Sequence, residues 1–244
     1  MLSIIIPAYN EEKNLEKTIK NINLVLSDLN FKEFEIIIIN DGSIDNTKVV
    51  MHDIQNKYNN IILIHNSKNK GIGYSFKKSI KICKYDRVTI FPGDNYSSYL
   101  LIKNLINNYN KADIVISFTL NTELRSKLRI ALSTLYTLSH SLLFSSPFKY
   151  INGSAVIRLD QLKKIDIQSN SYTFFSEILI KLFRSGSTYM EVFGTLNKGA
   201  LKSSAMNLKV IIAVIKYFFS LAIEIHLLKK NKYNKFKDFK RIIN

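Results

Sequence analysis

Cysteine occurs once in this chain, histidine four times, and acidic residues number only 19 against 35 basic ones. The single cysteine, Cys83, excludes an internal disulfide and a thiolate metal cluster. It falls in a helical pattern and reads as a small core residue. His52, His65, His140 and His226 have no ligand spacing, which argues against a zinc centre. No internal repeat or low-complexity linker is present. The opening residues, LSIIIPAYNEE, have no basic leader and too short an apolar run for a secretory signal, so a cytoplasmic setting is expected. The shortage of acid leaves a formal net charge of +16, which points to an anionic partner: nucleic acid, a phosphorylated substrate or a membrane surface. Part of that excess follows from a composition rich in Asn, Ile and Lys. Base-stacking RNA motifs are missing, so no nucleic-acid partner is expected.

What is present is ordinary for a folded α/β protein: 244 residues, 46% hydrophobic and 22% charged. Apolar, β-branched runs at 2–7, 34–40, 61–65, 87–91 and 113–118 alternate with helical patterns at 11–29, 45–58, 72–83 and 99–109. Continuous apolar strands separated by amphipathic helices predict a mainly parallel sheet covered on both faces. The second half predicts a long helix over 123–144, a strand over 151–159, a helix over 172–184 and a strand over 188–193. The loop GTLNKGALKSSA then leads to an apolar helix over 207–228 and a basic tail. One continuous domain over 1–206 with a C-terminal extension over 207–244 is expected.

Ligands of open parallel sheets bind beyond the carboxyl ends of the strands. Here four consecutive strands end in turn-forming polar residues: PAYNEE, NDGSIDNT, HNSKNKGIGYS and FPGDN. One such ending is an ordinary turn; four on one edge imply a shared ligand. GIGYSF overlaps a dinucleotide fingerprint, but Phe76 stands at the third glycine and the motif follows the third strand, so a Rossmann dehydrogenase is excluded.

IIPAYNEE, NDGSIDNT, NKGIG and PGDN resemble the successive motifs of the family-2 nucleotide-sugar glycosyltransferases with the GT-A fold. The resemblance covers about residues 2–118, which it makes the nucleotide-sugar half, leaving 119–206 for the acceptor. It implies that Pro7, Tyr9 and Glu11 wall the base and that Asp41 bonds to the base or ribose. Gly42 and Ser43 would shape that turn, while Asn69, Gly71 and Gly73 would let the third loop approach the nucleotide. The family usually carries two aspartates, one residue apart, after the fourth strand; here Pro92 replaces the first and Asp94 stands as the second. Magnesium or manganese keeps waters and takes oxygens from a diphosphate, so Asp94 alone can hold it as Lewis acid for the departing nucleoside diphosphate. The missing aspartate also motivates a non-catalytic, nucleotide-sugar-binding alternative.

The second half resembles a narrower group, the polyprenyl-phosphate transferases similar to dolichyl-phosphate mannose synthase. LRSKLRIALS carries the matching Arg125, Arg129 and Ser133, and NKGALKSSA the matching Lys202 and Ser203. Lys198 stands there for an arginine and Leu201 for a glycine, so the loop offers a point charge where the group has a bidentate fork. A lipid monophosphate is largely ionised near neutral pH, with a second pKa of about 6, and needs cations for positioning rather than a general base. A hydroxyl of a growing glycan would need a base. Glu177 is the residue for that role, or else a structural hydrogen-bond acceptor. Asp94, Arg129 and Glu177 thus form the expected catalytic set.

The apolar helix over 207–228 has the length of a membrane span, yet Lys209, Lys216, Ser220 and Glu224 recur along one face. A central charge costs about 2.5–3.5 kcal/mol in a span, so an interfacial helix is expected, its basic tail on an anionic membrane surface. Packing on the core, or on a second subunit of a homo-oligomer, is the alternative. The sequence therefore predicts an inverting, metal-assisted glycosyltransferase, peripheral at the cytoplasmic membrane face.

Overall fold

The computed structural model describes residues 1–197, 208–235 and 241–242. Seven strands and eight helices follow in chain order. They are β1 (Leu2–Ala8), α1 (Leu15–Asp28), β2 (Phe34–Asn40), α2 (Thr47–Lys57), β3 (Ile61–His65), α3 (Ile72–Ser79), β4 (Arg87–Ile90) and α4 (Tyr99–Asn107). Then come β5 (Ile114–Thr119), α5 (Lys127–Phe144), β6 (Ala155–Arg158), α6 (Leu159–Leu162), α7 (Phe174–Arg184), β7 (Tyr189–Gly194) and α8 (Leu208–Ile223). The strands form one sheet in the order β3-β2-β1-β4-β6-β5-β7, parallel except for β6, which runs antiparallel to β4 and β5.

The isoleucine runs of β1 and β2 are buried throughout because helices cover both sheet faces. One apolar layer takes Leu15, Ile19 and Ile22 of α1, Met51 of α2 and Leu101 and Leu105 of α4. The other takes Phe76 of α3, Phe144 of α5, Ile178 and Leu182 of α7, and Leu221, Ile225 and Tyr233 from the end of the chain. The carboxyl ends of β1, β2 and β4 consequently open on one edge.

Several sequence expectations shift here. The helix expected from residue 123 begins at Lys127, after a short 3-10 turn at Thr122–Leu124, with the Ser126 hydroxyl capping it by accepting from Arg129 N at 3.3 Å. The strand expected over 151–159 shortens to four residues. Gly153 lies so close to β5 that a Cβ there would stand 1.8 Å from the Ser117 carbonyl oxygen. The last helix widens into a π-turn at Glu224–Leu228.

The expected polar stripe of that helix does not hold together. Lys216 and Ser220 are exposed, but Glu224 is 5% exposed and turns inward. The reason is Lys181, fully buried on α7, whose ammonium needs anionic partners. It meets Glu177 at 2.7 Å and Glu224 at 2.8 Å, and donates to the Asp166 carbonyl at 2.7 Å. Lys229 closes the far side of Glu224 at 2.7 Å. The division drawn at residue 206 therefore does not divide the packing.

Candidate active site

The first loop is built by reciprocal contacts with the second. Asn10 N donates to Ser43 Oγ at 3.0 Å, Ile44 N to Asn10 Oδ1 at 3.0 Å and Glu11 N to Thr47 Oγ1 at 2.8 Å. Gly93 N donates to the Pro7 carbonyl at 3.0 Å and ties the fourth loop to the first. Tyr9 is left 45% exposed at the rim. Pro7, Tyr9, Glu11, Ser43 and Asp94 are thus carried by interlocked loops at one edge.

Asp41 is buried, and both its oxygens are taken by the chain. Oδ1 accepts from Asn66 Nδ2 at 2.8 Å and Lys70 N at 3.1 Å; Oδ2 accepts from Gly71 N at 2.8 Å. The carboxylate expected to bond to base or ribose thus organises the third loop, on which Asn69 is exposed. The glycines also have a nearer reason than nucleotide approach. Gly42, at φ 73°, lies where a Cβ would meet the Lys68 carbonyl carbon at 2.3 Å. Gly71, at φ 93°, leaves no room for a Cβ beneath the Asn170 carbonyl, and Gly73 packs on the Ser169 carbonyl.

Asp94 sits in the turn after β4, with Oδ1 accepting from Tyr96 N at 3.0 Å. Burial raises its carboxyl pKa, against the opposing pull of Arg129. Glu11 is raised too, by burial first and then by the carboxylates of Asp94 and Asp45. Negative charge is thus gathered at a partly desolvated mouth, which a cation would relieve. Among the described residues no three His, Cys, Asp or Glu side chains form a metal cage. The oxygen chemistry of Asp94, at a mouth where Glu11 adds a second partly buried carboxylate, is of the kind a hard cation shares with water and a diphosphate.

Beside Asp94 stands a cationic group. Arg125 is only 7% exposed. Its Nε donates to Tyr96 Oη at 2.5 Å and its Nη1 to Tyr150 Oη at 3.0 Å. Arg129 lies with its guanidinium carbon 5.4 Å from the centre of the Tyr96 ring. A groove of about 440 Å³ leads away from Arg125 along α5, past Ser133, Thr137, Ser141, Phe148 and Lys149. Ser133 is in place on this groove, its hydroxyl donating to the Ile130 carbonyl at 3.0 Å. Lys198, Lys202 and Ser203 lie outside the described residues.

Glu177 is the exception to this convergence. It is fully buried on α7, with Oε1 accepting from Gln168 N at 2.9 Å and Lys181 Nζ at 2.7 Å. Its Oε2 accepts from Ser169 N at 2.9 Å. A carboxylate so enclosed takes no proton from a substrate hydroxyl. Of its two expected roles, the geometry opposes the catalytic one and matches the structural acceptor, because its oxygens serve the 168–169 backbone and a buried lysine.

The family profile described as Glycosyl transferase family 2 matches residues 3–175. The chain belongs to that family. A dolichyl-phosphate beta-glucosyltransferase of Trichomonas vaginalis is 32% identical over 133 residues, 50% of this chain and 41% of the relative. The chain thus spans less than half the length of that curated relative. An uncharacterised protein of Methanocaldococcus jannaschii is 26% identical over 87% of this chain and 95% of its own. Among solved structures, glucosyl-3-phosphoglycerate synthase of Mycobacterium tuberculosis, in complex with Mn2+, UDP and glucosyl-3-phosphoglycerate, superposes with a TM-score of 0.66. It is 16% identical, over 92% of this chain and 79% of that one. That likeness carries the GT-A fold. Sequence reasoning missed Tyr96 and Tyr150 as partners of Arg125. Tyr96, two residues beyond Asp94, was the legible half of that pair.

Proposed function

We propose that this family-2 protein is a glycosyltransferase that moves a sugar, with inversion, from a nucleoside-diphosphate sugar to a polyprenyl phosphate at the cytoplasmic membrane face. The observation that carries the reading is the meeting of Asp94 with Arg125 and Arg129 across Tyr96. A carboxylate suited to a cation adjoins two guanidiniums, neither of which is closed into a salt bridge among the described residues. Names among the relatives support a lipid-phosphate acceptor, and Mn2+ in the neighbouring structure supports a divalent ion.

Asp94 would hold the magnesium or manganese ion, which when bound supplies Lewis acidity to the departing diphosphate. The interlocked first and second loops, with Tyr9 at the rim, hold the nucleoside. Arg125 and Arg129 orient the acceptor phosphate for in-line attack on the anomeric carbon. Its oxygen is already ionised, so no proton need be removed. The enclosure of Glu177 weighs against a glycan-hydroxyl acceptor.

Membrane association is supported by two apolar ridges. On α8 and the following turn, Ile212, Ile215, Phe219, Ile223 and Leu227 are exposed at helical spacing; on α5, Leu128, Leu132, Leu135, Leu138 and Leu142 are. The helices meet through Phe218, packed on His140 at 4.9 Å and Phe144 at 5.5 Å between ring centres. The segment Ile211–Leu228 is apolar and long enough to cross a bilayer. Its inner side, Leu221, Glu224 and Ile225, is buried against the protein, which favours a helix lying in the interface plane. The test is incubation with labelled nucleotide sugars, short polyprenyl phosphates and Mg2+ or Mn2+. A glycosyl polyprenyl phosphate is the expected product; in the same mixture with an added glycan, transfer to the glycan hydroxyl and none to the lipid phosphate overturns the reading.

A further inference from the structure

Arg125 poses a problem that the proposed reaction leaves open. A guanidinium is charged at every relevant pH, and a buried cation is costly without an anion. Yet its hydrogen-bond partners among the described residues are two neutral phenols, Tyr96 Oη and Tyr150 Oη. Its carbon also lies 5.5 Å from the Tyr96 ring centre and 5.0 Å from that of Tyr150, so both π-systems face the cation. Burial raises the Tyr96 phenol pKa, in keeping with a neutral partner.

We infer that Tyr96 and Tyr150 are positioning residues that hold Arg125 as a preorganised receptor for the acceptor's phosphate monoester. The inference rests on the function proposed above. Two of the five N–H donors of the guanidinium are taken by the phenols, and both Nη2 hydrogens with one on Nη1 have no hydrogen-bond partner among the described residues. That remainder is the fork that binds two phosphate oxygens side by side. A carboxylate in place of the phenols would fix the side chain equally well, but would neutralise it and compete with the ligand. Phenols orient without cancelling charge.

Tyr96 has a second task. Its backbone N–H holds Asp94, its hydroxyl holds Arg125, and its ring faces Arg129. One residue thus sets the carboxylate of the donor side against the cations of the acceptor side. Tyr150 reaches the same guanidinium from the segment before β6, at the head of the groove along α5. The two anchors come from distant parts of the chain, so the receptor forms only in the folded protein.

The experiment compares wild type with Tyr96→Phe, Tyr150→Phe and Arg125→Lys, each checked for an unchanged circular-dichroism spectrum. Calorimetry measures binding of inorganic phosphate and, separately, of a nucleoside diphosphate with Mn2+. Each Phe variant keeps its ring and loses one hydrogen bond to a charged group, so phosphate binding should weaken about tenfold or more. Nucleoside diphosphate binding should hold. In a double-mutant cycle, Tyr150→Phe in the Arg125→Lys background should cost little further, because the fork it orients is gone. Three results overturn the inference: wild type that ignores phosphate, Phe variants that bind it as well as wild type, or losses that simply add. Failure of sugar transfer alongside the expected phosphate pattern would count against the proposed reaction and not against the receptor.

Discussion

Replacing Glu177 by glutamine separates a structural carboxylate from a catalytic base. Glu177 accepts from Gln168 N and Lys181 Nζ on one oxygen and from Ser169 N on the other. A glutamine keeps one acceptor and turns an NH2 group toward a donor, so at least one hydrogen bond to a charged group is lost, worth about 1.5–3 kcal/mol. Lys181 also loses one of two carboxylates, though Glu224 remains at 2.8 Å. Together these place the destabilisation at about 2–4 kcal/mol. With a urea m-value of about 3 kcal/mol/M for a chain of this size, the midpoint should fall by roughly 1 M. Turnover below the transition, measured with saturating donor and acceptor, should drop by less than about tenfold. Loss of a general base costs about a hundredfold to ten-thousandfold. An unchanged urea midpoint with a loss of that size would refute the structural role and restore the hydroxyl-acceptor reading.

Other outcomes follow from the same contacts. Asp94→Ala should abolish transfer while leaving the unfolding midpoint near that of wild type, and retained turnover that still needs metal would contradict its role. Burial pushes the His140 ring down to about 4, so the unfolded chain binds the proton more readily between that value and about 6.5. Stability should therefore fall as the pH drops through that window, and urea midpoints of His140→Phe should show a weaker decline. Leu135→Glu with Leu142→Glu should lower sedimentation with phosphatidylglycerol vesicles by about tenfold or more and spare nucleotide binding, since each leucine transferred from water contributes about 1.5–3 kcal/mol. Deletion from residue 206 should destabilise the whole protein, because Leu221, Ile225 and Tyr233 belong to the core and Glu224 partners Lys181; an unchanged urea midpoint would show the extension to be separable.

Much of the architecture was legible because its signals are local. The isoleucine runs and the polar residues that end them mark buried strands and a common polar edge without reference to any partner. The turn that carries Asp94 was legible for the same reason, as a lone carboxylate just past a predicted strand. What escaped depends on contacts between distant residues. Asp41 looks like a ligand in sequence, and only the third loop folding over it shows where its oxygens go. Glu224 fits a polar stripe by helical spacing, but Lys181, 43 positions earlier, draws it inward. Tyr150 carries no pattern at all; its meaning comes from Arg125, 25 residues away. The antiparallel insertion of β6 was equally hidden, since four apolar residues do not declare their direction.

In the proposed reaction a phosphate, oriented by Arg125 and Arg129 beside Asp94, accepts the sugar. Mass spectrometry of the product from purified protein, a nucleotide sugar, Mn2+ and a short polyprenyl phosphate tests it most directly. The account predicts a polyprenyl monophosphate enlarged by one sugar through its phosphate oxygen, lost on Arg125→Ala or in excess chelator. A product formed equally well by Arg125→Ala, or a sugar attached only to a hydroxyl, would contradict it.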